Sequence, residues 1–294
     1  MKLYHLITIG IILMSNATDA QKNNGFKWVN PLPEKHPPRL THATFTSTSM
    51  NTDIGYVIYL PPGYEKPENQ NLRYPVVYYL HGGRPGSELK SINLARHVHR
   101  AIRTKKMPPT IYVYINGGRM SHYDYKKWLG ETAFVKELIP HVDQTYRTIS
   151  DRLGRGIEGF SQGGRGTARI MFKYPELFGS AAPMGGGQQH EKRISENNGK
   201  ESKNLVFAPP TNNTWDLARE FAKNKTAPQL NILIVVGTKD FNYEPNLEWM
   251  AHLDTLKIPY KKIIVEDVPH SANQIYKKVS DQIFSFHTKN LSSQ

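Results

Sequence analysis

The order of apolar segments is what most narrows the folds open to this chain. From Tyr74 onward, runs of strand length (YPVVYYL, TIYVYI, GRGIEGF, GSAAPM, LNILIVV and KKIIVED) alternate with segments of helical period such as TAFVKELIPHVDQTY and LEWMAHLDTLK. A strand that is apolar on both faces must be covered on both faces, and a helix between successive strands supplies that cover. The alternation therefore predicts βαβ units, a mostly parallel sheet and helices on both sides, an α/β fold. Upstream, ATFTST and GYVIYL alternate in polarity around the turn-prone SMNTD, which predicts an antiparallel hairpin at a sheet edge.

The 294 residues show no internal repeat and no second core, so one catalytic domain is expected over residues 41–294. Residues 185–228 interrupt the alternation with a polar stretch in which only TWDLAREFAK has helical character. They predict an insertion over one end of the sheet, close to the functional site. Residues 21–40 are proline-rich and aperiodic, an expected extended arm. Before them, Lys2, the apolar run LITIGIILM and the small residues Ala17 and Ala20 have the layout of a signal peptide over residues 1–20. That run is too short to span a bilayer, and a soluble periplasmic or extracellular protein is expected. The chain has no cysteine, so the exported fold must hold together by packing alone. Asn-x-Ser/Thr sequences at Asn212, Asn224 and Asn290 would matter only in a eukaryote and are read as chance.

The formal net charge is +13, yet no basic run reaches five or six residues. Along the sequence the lysines and arginines are scattered, with neither a clustered face nor a nucleic-acid-binding motif, so a basic but unspecialised surface is expected and no nucleic-acid partner.

Residues 155–166, RGIEGFSQGGRG, concentrate glycine around Ser161. The segment ends an apolar strand and opens a helix, the setting in which Gly-x-Ser-x-Gly acquires meaning. The serine is forced into strained backbone angles, the glycines on either side let neighbouring chain pass, and the hydroxyl stands at the carboxyl edge of the sheet. A serine hydroxyl needs a base, and the base an orienting acid. Past Ser161, NILIVVG runs into TKD, placing Asp240 beyond a strand end, and KKIIVEDV runs into PHSANQIY, placing His270 at the equivalent edge. The expected triad is Ser161, Asp240 and His270. The oxyanion of acyl transfer calls for two backbone donors: the N–H of Gln162, and one from HGGRPGSE after YPVVYYL, with Gly83 preferred over Arg84.

Other candidates read as structural. His81 ends a buried strand; His190, His252 and His287 fall in the insertion or on helices; Asp267 is solvated beside its strand. Glu158, three residues before the serine, needs a buried partner, for which Arg155, Arg165 or Arg169 are available. Arg84, Trp128 and Trp215 are expected substrate contacts, with Tyr123 and Tyr125 as further rings, while Arg119 and Arg165 would favour an anionic ester.

The ordered landmarks YLPPGYE, YPVVYYLHGG, ELIPHVDQTYRT, RGIEGFSQGG, KYPELFGSAAPMGGG, GTKDFNYEPN and DVPHSANQIY, spanning Tyr56 to Tyr276, resemble the esterase D-like carbohydrate esterases of the α/β-hydrolase fold. This family includes feruloyl and acetylxylan esterases, S-formylglutathione hydrolases, enterochelin esterases and mycolyltransferases. The resemblance implies the same triad and the same oxyanion pair, Gly83 and Gln162, although the family often has methionine where this chain has Gln162. It implies a secreted serine carboxylesterase acting on feruloyl or acetyl esters of plant polysaccharide, without metal or cofactor. Siderophore-ester hydrolysis, acyl transfer to an alcohol, and a non-catalytic binding protein are the alternatives it leaves.

Overall fold

The computed structural model describes residues 25–187, 198–207 and 212–292. The expected signal peptide, the first residues of the arm, His190 and part of the expected insertion lie outside the described residues.

The hairpin is present: β1 (Leu40–Ser47) pairs antiparallel with β2 (Thr52–Tyr59), Leu40 opposite Tyr59 and Ser47 opposite Thr52. Then follow β3 (Val76–Leu80), α1 (Ala95–Arg103) and β4 (Ile111–Ile115). A short hairpin, β5 (Asp124–Tyr125) with β6 (Trp128–Leu129), leads into α2 (Gly130–Thr132), which continues through a π-helical turn into α3 (Ile139–Thr145). The chain then alternates: β7 (Arg155–Phe160), α4 (Gln162–Lys173), β8 (Ser180–Met184), α5 (Thr214–Lys223), β9 (Asn231–Lys239), α6 (Tyr243–Thr255), β10 (Lys261–Pro269) and α7 (Ala272–Asn290).

These strands form one sheet in the order β1-β2-β4-β3-β7-β8-β9-β10, parallel from β4 to β10. The order reverses around β3: its chain continues outward to β4 on one side, and β7 lies on the other. At such a switch point the loops after two neighbouring strands part and open a crevice at the carboxyl rim. Here those are the loops after β3 and β7.

The central strands are buried end to end, so each must be apolar on both faces. One face packs Val76, Tyr78, Leu80, Ile157 and Ile234 against α3, α4, α5 and α6. The other packs Val77, Tyr79, Tyr112, Val235 and Val265 against α1 and α7. The α7 helix starts at Ser271, whose hydroxyl accepts the Gln274 N–H. Among the described residues no helix is long and apolar enough to cross a membrane.

One expectation needs correction. The later part of residues 185–228 is not inserted: α5 is the crossover between β8 and β9, with Ala218 fully buried and Phe221 against Phe172. The helical character read for TWDLAREFAK holds, but the polar stretch before it concealed that this helix packs into the core as a crossover. The described part of the expected arm packs against the domain. Phe26 and Trp28 pack edge-to-face, Phe26 meets Trp128, and Asn30 bonds the buried Glu88 through its backbone and side-chain nitrogens.

Candidate active site

Ser161 occupies the turn between β7 and α4 with φ 59° and ψ −120°. A non-glycine residue pays on the order of 1–3 kcal/mol to stay in such a region, and only close neighbours can hold it there. A Cβ on Gly159 would lie 2.6 Å from the Gly163 carbonyl, and one on Gly163 would run into the Leu80 carbonyl. The glycines therefore let β3, β7 and the first turn of α4 approach closely. The Ser161 N–H is tied to Met184 O at 2.9 Å on β8, and Gln162 opens α4, so the positive end of that helix faces the serine.

β9 delivers Asp240 and β10 delivers His270 to the same rim. His270 Nε2 is 2.8 Å from Ser161 Oγ, and Nδ1 is 2.8 Å from both Asp240 carboxylate oxygens. Asp240 is buried and also accepts the Asn242 N–H at 2.8 Å. Protonated at Nδ1 towards Asp240, the imidazole presents Nε2 as acceptor to the serine hydroxyl. Phe160 and Phe241 flank the ring at centroid distances of 4.6 and 4.1 Å.

The loop after β3 is held from behind. Lys90 Nζ donates to Pro85 O at 2.6 Å and reaches Gly82 O at 3.4 Å, and the Ser121 hydroxyl donates to Gly83 O at 2.5 Å. His81, buried, accepts the Gly117 N–H on Nε2 at 3.0 Å, so its Nδ1–H donates to Gly82 O at 3.2 Å. Burial, with Lys90 nearby, holds the His81 pKa at about 3, too low for a useful base at neutral pH. In a trans peptide the carbonyl and the next N–H point in opposite directions. Fixing the Gly82 and Gly83 carbonyls therefore orients the N–H groups of Gly83 and Arg84. Gly83, at φ 67°, takes a conformation glycine adopts without strain.

Arg84 donates to the Gln162 side-chain oxygen at 3.1 Å and ion-pairs with Glu201 at 2.5 Å. Glu201, fully enclosed, also pairs with Arg165 and accepts from Gln162 Nε2 at 3.4 Å and from the Tyr123 hydroxyl at 3.5 Å. Beside this polar wall opens a cavity of about 350 Å³ lined by Arg84, Met120, Tyr125, Lys200, Glu201 and Leu205.

The remaining expectations divide. Arg84 and Tyr125 line the cavity. Trp128 instead packs against Phe26 and Trp28, with the Arg119 guanidinium over its ring, and Trp215 stacks on His252 at 4.2 Å within the α5–α6 packing. Neither tryptophan lines the cavity, because both rings were needed to close apolar surface. Asp267 is exposed and paired with Lys239. Glu158 takes none of the three arginines; its partners are Tyr276 at 2.5 Å and His287 at 3.1 Å on α7, since its side chain points to the α1/α7 face while Arg165 and Arg169 lie on α4 across the sheet. Glu201, Lys90, Ser121 and Phe241 escaped sequence reasoning. Phe241, 73% exposed directly after Asp240, carried the one readable signal, a large ring in a loop beside the expected acid.

A serine, histidine and carboxylate in hydrogen-bonded series at the carboxyl rim of a mostly parallel sheet, with the serine on a strand-to-helix elbow, define the α/β-hydrolase class. Within it, the chain belongs to the family described as "Putative esterase", whose profile matches residues 47–258. An esterase of Mycobacterium tuberculosis is 28% identical over 160 residues, covering 52% of this chain and 33% of its own length. An endo-1,4-beta-xylanase/feruloyl esterase of Xylanibacter ruminicola is 28% identical over 167 residues, 53% of this chain and 23% of its own. The chain thus spans about a third or less of these curated relatives. Two solved structures share the fold. A ferulic acid esterase superposes with TM-score 0.72 at 21% identity, over 86% of this chain and 98% of its own. A ferulic acid esterase of the anaerobic fungus Anaeromyces mucronatus superposes with TM-score 0.65 at 19% identity, over 90% and 96%.

Proposed function

We propose that this protein is an exported serine carboxylesterase that removes feruloyl or acetyl groups from plant polysaccharide. The observation that carries the reading is the relay from Ser161 through His270 to Asp240, with 2.8 Å at each step. Ser161 Oγ attacks the ester carbonyl as its proton passes to His270 Nε2, and Asp240 stabilises the imidazolium. The tetrahedral oxyanion accepts hydrogen bonds from the N–H groups of Gly83 and Gln162. Collapse breaks the ester C–O bond, and His270 protonates the departing alkoxide. Water then gives its proton to His270, attacks the acyl-enzyme and releases the acid and free Ser161.

The feruloyl relatives named above, the cavity with its Met120, Leu205 and Tyr125 lining, and Phe241 beside His270 support an aromatic acyl group. The leader-like residues 1–20 support export. Labelling with a fluorophosphonate, paired with hydrolysis of methyl ferulate, nitrophenyl acetate and acetylated xylan, tests the proposal. The wild type is expected to label at Ser161 and to hydrolyse at least one member of the panel. Ser161→Ala is expected to lose labelling and about 10⁴-fold or more in kcat. Undiminished labelling of Ser161→Ala would remove this serine from the chemistry.

A further inference from the structure

The fold gathers the scattered basic residues onto one side. The turn and helix from Ala95 to Lys106 carry Arg96, Arg100, Arg103, Lys105 and Lys106, all exposed and with no acidic residue among them. The α7 helix adds exposed Lys277, Lys278 and Lys289 against one acid, Asp281, which pairs with Lys106. α1 and α7 are neighbours over the same face of the sheet, His97 on one packing against Tyr276 on the other. Lys261 and Lys262 at the start of the edge strand β10 extend the patch, while Glu266 and Asp267 near its end are exposed acids, Asp267 paired with Lys239. The opposite face has no such excess, even with Lys225 and Lys257 just past its helices. α6 has Glu244, Glu248 and Asp254 with no lysine or arginine, and in α5 Arg219 and Lys223 are balanced by Asp216 and Glu220. Burial, with neighbouring arginines, holds His97 and His99 below the usual histidine range, so Arg and Lys carry the charge of this side at neutral pH.

We infer that the α1/α7 face is a binding surface for a carboxylate-bearing polysaccharide. Arg96, Arg100 and Arg103 follow i, i+4, i+7 spacing and so form one stripe along the helix. Such a row of fixed charges gains from releasing the counterions of a polyanion lying along it. The large apolar side chains exposed among the described residues are Leu72, Leu153 and Phe241, none of them on α1 or α7, so this face offers nothing to insert into a bilayer. Its aromatic residues, Tyr276, Phe284 and Phe286, are buried and give no platform for stacked bases. A polysaccharide needs neither, and α7 begins two residues after His270, so a polymer held along it reaches the catalytic rim. The choice of a polysaccharide rests on the proposed function; the basic surface itself does not.

The test compares the full chain with two charge-matched triple variants. Arg96→Glu, Arg100→Glu and Arg103→Glu alter this face; Arg219→Glu, Lys223→Glu and Lys225→Glu make the same change of net charge across the molecule. Thermal unfolding first establishes that both variants fold. Binding to polygalacturonate is then measured across a salt series, with anionic phospholipid vesicles and a single-stranded oligonucleotide as competing probes. The wild type is expected to bind polygalacturonate in a salt-dependent way, the α1 variant to weaken by about tenfold or more and the α5 variant by less than about threefold. Equal losses in the two variants, no binding by the wild type, or tighter binding to vesicles or oligonucleotide would each overturn the inference.

Discussion

At the scale of single residues, the proposed oxyanion loop depends on what grips it from behind. Lys90 and His81 converge on the carbonyl of Gly82, whose peptide carries the N–H of Gly83. Donors on that carbonyl orient the peptide and make its N–H a stronger donor, an advantage realised when the oxyanion forms. Lys90→Met is therefore expected to lower kcat by about 10- to 100-fold with KM changed less than about threefold, measured by steady-state hydrolysis of a nitrophenyl ester. Lys90→Arg should recover part of the loss. Phe241 predicts the reverse split. Exposed at 73% and tilted against His270, its ring would present a face to the proposed aromatic acyl group. Phe241→Ala is expected to raise KM for methyl ferulate about threefold to tenfold while leaving acetyl esters within about twofold. Comparing the two substrates on one enzyme preparation decides it.

At the scale of elements, His270 stands beside Ser161 with α7, which follows it, tied to the strand that ends at the serine. Glu158 on β7 accepts from the Tyr276 hydroxyl and pairs with His287, and His287 Nδ1 lies 2.8 Å from Ser180 Oγ on β8. All four groups are buried. This network joins β7 and β8 to the helix that starts just after His270, fixing the latter's distance from Ser161. Glu158→Ala leaves Tyr276 and His287 without their acceptor inside a packed face, a loss of about 3 kcal/mol. A fall of that size in unfolding free energy by urea titration is the expected outcome, with Glu158→Gln less damaging. A change below about 0.5 kcal/mol would mean the network does not hold α7.

For the whole molecule, buried histidines set an acid limit. Burial pushes His81 to about 3, and burial together with His81 pushes His122 well below the usual range. Both are therefore neutral in the folded chain at pH values where the unfolded chain, with histidines near 6.5, takes up protons. The unfolded state binds more protons between roughly pH 6.5 and 3, so stability is intact above that window and declines as pH falls through it. Each histidine contributes up to about 1.4 kcal/mol per pH unit there. Calorimetric unfolding midpoints are expected to drop steadily from pH 7 to pH 5, and His81→Gln should flatten that slope if the protein still folds.

What the sequence determined by itself is what backbone physics writes locally. The apolar runs specified a parallel sheet, the glycines at 159 and 163 marked an elbow, and the strand ends before Asp240 and His270 put both on the rim where Ser161 stands. Each of these follows from a short window, since strand burial, turn geometry and rim placement depend on neighbours a few residues away. Pairings across long separations were decided only by the tertiary structure: Glu201 with Arg84 and Arg165, Glu158 with Tyr276 and His287, Trp215 against His252, and the arm's Phe26 with Trp128. A side chain's partner depends on which way it points from a packed element, and no local pattern encodes that. The net charge shows the difference most plainly. Composition gave its size, while packing α1 beside α7 put eight basic residues on one side of the molecule.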